Sequence, residues 1–99
     1  MAHVLEITTL APAPGCTAAD FVEANKDIDA YLARQPGYQW RNIAVHGDGT
    51  VVDIVAWDSE EQARASAAGI MTEMGSSPVH ATIDHASVDW RVINVLHTA

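Results

Sequence analysis

The chain has 99 residues, 48% of them hydrophobic and only 18% charged, with 13 acids against 5 bases and a single cysteine. That length suits one domain, expected over residues 1–99, and the apolar content is too high for a disordered chain. A formal net charge of −8 repels phosphate backbones and anionic lipid, which excludes nucleic acid and membrane surfaces as partners.

His3 to Leu10, rich in Val, Leu, Ile and Thr and closed by Pro12, Pro14 and Gly15, reads as a first strand. Thr17 and Asp20 then form a capping box with a shortened acid, and Phe21, Ala24, Ile28 and Leu32 recur at helical spacing up to Pro36-Gly37. The spacing predicts one helix over Ala18 to Arg34. Tyr38 to His46 and Thr50 to Trp57 flank Gly47-Asp48-Gly49, and Asp-Gly between two β-rich runs is a strong hairpin signal. Ser59 and Gln62 cap a second helix whose stripe is Ala63, Ala67, Ile70 and Met74, stopped by Gly75-Ser76-Ser77-Pro78. Val79 to Ala86 is a loop or a short helical turn, and Ser87 to His97 is the last strand.

The order β-α-β-β-α-β is that of an α+β ferredoxin-like fold, with an antiparallel sheet in the order 4-1-3-2 and both helices on one face. A sheet covered on one face alternates apolar with polar residues, but these strands carry apolar residues on both. Leu5 and Ile7 oppose Val4 and Leu10, Val52 and Ile54 oppose Val51 and Val55, and Ile93 and Val95 oppose Val88, Trp90 and Val92. The uncovered face calls for a second copy packed sheet to sheet, so a homodimer is expected.

The opening VLEITTLAPAPG, the PGYQWR that begins the second strand and VDIVAWDSEEQARA across the third strand and second helix together resemble the dimeric α+β barrel superfamily. Within it, the small antibiotic-biosynthesis-monooxygenase-like proteins are the most similar group. The resemblance implies two sheets packed face to face and a ligand cleft between each sheet and its own helices. It also implies cofactor-free oxygenase chemistry on polyphenolic or polyketide-type compounds, or haem degradation. The haem-degrading branch needs an Asn on the first strand and a haem-binding His on the second helix, where this chain has Thr8 and Ala67, and no His lies between Glu60 and Met74. Haem degradation is therefore disfavoured and no cofactor is expected.

If Thr8 and Trp57 mark the cleft face by that resemblance, alternation adds Val4, Glu6 and Leu10, and Val51, Asp53 and Val55. Two acids, Glu6 and Asp53, then share one largely apolar face, and burial with mutual repulsion raises a carboxylate's pKa. Either can be the base that deprotonates a phenol or activated C–H, so that the anion itself reacts with O2. The alternative is that Arg41 or Arg91 neutralises the acids and the chain is a non-catalytic ligand-binding or dimerisation module. An isomerase or decarboxylase using the same base is a third reading. Thr8, Asn25, Trp57 and Trp40 are the candidate substrate-binding residues. Trp40 belongs to this set only if Asp48-Gly49 form a two-residue turn, which puts Trp40, Asn42 and His46 on the cleft face; a longer loop reverses this.

The small residues Ala63, Ser66, Ala67, Ala68 and Gly69 either let the second helix approach the sheet or leave a cavity. His80, Asp84 and His85 are too few for a convincing metal site, and none is predicted. Cys16 has no neighbouring base, cannot form an internal disulfide and is assigned no role. With no leader-like N-terminus and no apolar run near the roughly 20 residues of a membrane span, a cytoplasmic protein is expected.

Overall fold

The computed structural model describes residues 3–99. Strand β1 spans Val4–Pro12, and the capping box forms as the sequence indicates: Asp20 N–H donates to Thr17 Oγ1 and Thr17 N–H to Asp20 Oδ2. The helix that follows is not continuous over Ala18 to Arg34. It divides into α1 (Ala18–Glu23) and α2 (Lys26–Ala33). Asn25 is the cause. Its side-chain amide donates to the Phe21 carbonyl at 2.7 Å, the acceptor its own backbone N–H would use in an unbroken helix, and that N–H turns to Val22 O instead. An Asn side chain competing with the backbone in this way ends one helix and starts the next.

Strands β2 (Tyr38–Val45) and β3 (Val51–Trp57) form the expected hairpin, but with a three-residue loop. Gly49 N–H donates to His46 O, His46 N–H to Thr50 O, and Gly49 has φ +92°. This is a turn followed by a left-handed glycine, one residue longer than the two-residue turn. Val45 consequently faces Val51, and Arg41 and Ile43 face Val55 and Asp53. The longer loop thus reverses the face expected for β2, because one residue of slip exchanges the two faces of a strand. A bulge between Tyr38 and Trp40 separates those two rings as well. Tyr38 packs edge-on against Trp57 at 5.9 Å between centroids, while Trp40 faces away from the helices, 42% exposed.

Helix α3 (Glu60–Thr72) starts at the Ser59 cap and ends within two residues of its expected limit. A 3₁₀ turn over Pro78–Thr82 follows, and β4 runs over Ile83–Asn94, beginning four residues before and ending three residues before the expected strand. The sheet order is β2-β3-β1-β4 with every neighbouring pair antiparallel, the ferredoxin-like α+β order. The helices cover one face. There Val4, Leu10, Val51, Val55 and Trp57 pack with Phe21, Ile28, Tyr31, Leu32, Ala63 and Val79. The Tyr31 hydroxyl donates to Ser66 O at 3.0 Å and lies where a Cβ at position 69 would fall, so Gly69 is what lets α2 and α3 meet. Among the described residues, no helix is long and apolar enough to cross a membrane.

Candidate active site

Between the sheet and the helices lies a cavity of about 570 Å³. It is mostly apolar: Leu10, Phe21, Ile28, Ala67, Ala68, Ile70 and Val79 form much of the wall. The small residues of α3 therefore serve both ends weighed from sequence, with Gly69 against Tyr31 and Ala67 and Ala68 facing open space. The polar lining comes from Glu6 and Thr8 on β1, Asn25 at the α1–α2 break, Arg41 on β2, Asp53 on β3, and His80, His85 and Trp90 near and on β4.

Glu6 and Asp53 share this face, as strand alternation requires. The β1–β3 register sets Thr8 opposite Asp53 and Glu6 opposite Val55, so the two acids are diagonal neighbours. Their surroundings differ. Asp53 is held by both arms of a guanidinium, with Arg41 Nε at 3.0 Å from Oδ1 and the Nη2 nitrogen at 2.7 Å from Oδ2. Arg41 also donates to Asn25 Oδ1 at 2.8 Å and to Asp29 Oδ1 at 2.9 Å, and its side chain is 6% exposed. One cation thus joins β2, β3, α2 and the helix break.

Glu6 has no such cation. Each of its oxygens accepts from one indole: Trp57 Nε1 donates to Oε1 at 2.9 Å and Trp90 Nε1 to Oε2 at 2.7 Å. Burial pushes the Glu6 carboxyl above the ordinary glutamate value of 4.5, and the negative charge of Asp53 adds to this. The two indole N–H bonds and the more distant Arg41 charge pull in the other direction without cancelling it. Glu6 is 7% exposed, a carboxylate satisfied by neutral donors in an apolar wall.

The sequence-predicted residues divide accordingly. Glu6, Asp53, Thr8 and Asn25 all line the cavity. Asn25 is 1% exposed and fully engaged, donating to Phe21 O and accepting from Arg41. Trp57 is wholly buried and is not part of the lining; it supports Glu6 from beneath. Trp40, expected on the cleft if the turn had two residues, lies on the opposite face of the sheet, because the loop has three and a bulge follows Tyr38. Trp90 takes the place of an aromatic wall, with the Arg64 guanidinium 5.1 Å from its ring centroid. Its position was legible: β4 neighbours β1 in the predicted order, and Val88, Trp90 and Val92 alternate on one face. Arg41, expected from sequence only as one of two cations able to neutralise the acids, pairs with Asp53 and lines the cavity because the three-residue loop turns it inward, while Arg91 pairs with Asp89. Among the described residues no group of three or more His, Cys, Asp or Glu is arranged to hold a metal ion.

No protein-family model matches the chain, and no curated protein is similar to it by sequence. Solved structures are similar over nearly all of it. SnoaB, a cofactor-independent oxygenase from Streptomyces nogalater, superimposes with a TM-score of 0.76 at 17% identity, covering 99% of this chain and 97% of its own. The monooxygenase from the gene ActVA-Orf6 of Streptomyces coelicolor, solved in complex with Nanaomycin D, gives 0.71 at 18% identity, covering 99% and 91%. NE2512, a protein of unknown function from Nitrosomonas europaea, gives 0.68 at 17% identity, covering 100% and 94%. At such identities the likeness speaks to architecture, and what this chain shares with these proteins is a ferredoxin-like α+β fold.

Proposed function

We propose that the chain is a cofactor-independent monooxygenase-like enzyme acting on a small aromatic or polyketide-type compound held in the cavity. The observation that carries this reading is Glu6: a buried carboxylate with no cation beside it, raised in pKa and lining an apolar cavity large enough for a multi-ring compound. Such a group takes a proton from a phenol or from an activated CH2 between aromatic rings. The anion then gives an electron to O2, the carbon and the reduced oxygen combine, and loss of water leaves a carbonyl. The sum is CH2 + O2 → C=O + H2O, with all four electrons supplied by the substrate carbon. Trp90 offers its ring to the bound aromatic system, and Thr8, between Glu6 and Leu10 along β1, offers a hydroxyl. Asp53 holds Arg41 in place and is the lesser candidate for the base. The neighbours described as a cofactor-independent oxygenase and a monooxygenase support the reaction class.

The test is oxygen uptake over a panel of anthrones, naphthols and hydroquinones, with Glu6→Gln alongside the wild type. The variant should lose about 10²–10⁴-fold in kcat, the usual contribution of a positioned base. Full turnover in Glu6→Gln removes the assignment. A non-catalytic ligand-binding module is the second reading, favoured by the Arg41–Asp53 pair, which neutralises one of the two acids. It predicts a panel member that binds with no oxygen consumed.

The same proposal includes a homodimer through the face away from the helices. Leu5, Ile7, Val52 and Ile54 are only part-buried there, and Trp40 and Ile93 are 42% and 46% exposed. Contiguous apolar surface of this kind favours a self-complementary contact. Sedimentation at micromolar concentration should give a dimer, and Ile54→Asp should give a monomer; a monomeric wild type sinks this part of the reading.

A further inference from the structure

Strand alternation cannot account for the residues that β4 sends to the cavity. Val88 and Trp90 line it, and so do Ile83 and His85, which have the opposite parity. The break lies between two pairings with β1: Thr9 faces Asp89, and Ala11 faces Asp84. Five steps along β4 match two along β1, so three extra residues bulge out, and an odd excess exchanges the faces. In a regular strand Asp84 and Ala86 would face the cavity and His85 would face away.

The bulge is held by its own polar groups. Ser87 Oγ accepts from Ala11 N–H at 2.8 Å and donates to Asp84 O at 2.6 Å, while Ala86 N–H donates to Asp84 Oδ1 at 3.2 Å. Bulges beside cavities commonly re-aim one side chain, and here that side chain is an imidazole.

The hydrogen bonds of the two rings fix their tautomers. His85 Nε2 is 2.8 Å from His80 O, and His80 Nε2 is 2.9 Å from Met74 O. A carbonyl oxygen only accepts, so each ring carries a proton on Nε2, and the neutral imidazole keeps its lone pair on Nδ1. The rings are stacked, with centroids 6.3 Å apart and planes at 26°. His85 is exposed as well as lining the cavity, which puts it where the cavity meets solvent. The carboxylates of Glu6 and Asp53 lie farther in, each already committed to donors from the protein.

We propose that His85 is a specificity-determining residue of the cavity: its Nδ1 accepts a hydrogen bond from a hydroxyl on the ligand, so that the cavity selects hydroxylated aromatic rings over the corresponding ethers. This rests on the reading that the ligand is aromatic. The backbone carbonyl at position 80 anchors the His85 ring.

The test is equilibrium dialysis of the whole chain with 1-naphthol and 1-methoxynaphthalene, which differ by the hydroxyl proton. The wild type should bind the naphthol about five-fold more tightly, the value of one neutral hydrogen bond. His85→Gln, whose amide reaches the Nε2 position, should bind both probes alike with the ether's affinity unchanged. His85→Asn, whose amide falls at the Nδ1 position, should restore the preference. Unchanged ether affinity in the variants shows that the cavity itself is intact. A preference that survives in His85→Gln overturns the proposal, as does one lost in Glu6→Gln but kept in His85→Gln, which gives the hydroxyl to Glu6. Equal binding of both probes by the wild type overturns it while leaving the aromatic cavity standing. Failure of both probes to bind removes the aromatic-ligand reading and this proposal with it.

Discussion

Glu6 and Asp53 are diagonal neighbours on one sheet face, made of the same functional group, and the protein treats them in opposite ways. Asp53, on the β2–β3 side, meets a guanidinium through two hydrogen bonds, and that guanidinium continues to Asn25 and Asp29. Glu6, on the β1–β4 side, meets only indole N–H groups. Neutral donors satisfy a carboxylate's lone pairs without cancelling its charge, so the buried group keeps its affinity for a proton. The ionic side ties β2 and β3 to α2 and the helix break; the indole side leaves a carboxylate with a raised proton affinity in an apolar wall.

Removing a partner from each side measures this difference. Arg41→Met should have the largest effect on stability, about 3–5 kcal/mol in urea unfolding, because it leaves Asp53, a carboxylate with only 13% of its side chain exposed, without a partner and severs the link to α2. A cost below about 1 kcal/mol would mean that Asp53 reaches water and that the two sides are alike. Trp57→Phe should follow at about 2–3 kcal/mol, combining a lost bond to a charged acceptor with a cavity in the core.

The pH dependence isolates the contribution of Glu6. Folding raises the Glu6 pKa above 4.5, so the folded chain binds its proton more tightly than the unfolded chain does. Its contribution is therefore greatest below pH 4.5 and is lost as pH rises through the folded value. Denaturation of wild type and Glu6→Gln in parallel should show the wild type losing ground to the variant as pH climbs through that window. Parallel curves would show that Glu6 is not perturbed. The smallest effect is expected from Trp90→Phe. It withdraws the stronger of the two indole bonds that hold the Glu6 pKa down, so the acid limb of a pH–rate profile should move to higher pH with little change in the plateau.

The features legible in the sequence are those set by period and by caps. Alternation along β1 and β3 places Glu6, Thr8 and Asp53 on one face, and Thr17 and Ser59 mark both helix starts. What escaped has a common cause, a single polar side chain or one extra residue altering a count. The loop Gly47-Asp48-Gly49 holds three residues where Asp-Gly alone suggests two, and this moves Arg41 inward and Trp40 outward. Asn25 takes a carbonyl from its own helix and breaks it. Ser87 secures a bulge that no hydrophobic pattern announces, and with it the direction of His85. Each depends on hydrogen bonds between residues whose proximity the fold itself creates, so a period of two or of 3.6 carries no trace of them.

The contact between Tyr31 and α3 has a consequence for the size of molecule the protein can admit. Because the ring abuts Gly69 and its hydroxyl is tied to Ser66 O, Tyr31 acts as a spacer that sets the height of α3 above the sheet, while the neighbouring Ala67 and Ala68 form the ceiling of the cavity. The height of the cavity is thus governed by a pair of residues outside its lining. A single methyl group added at Gly69 would meet the Tyr31 hydroxyl and lift the ceiling from behind, changing the volume of the cavity while leaving every lining side chain the same.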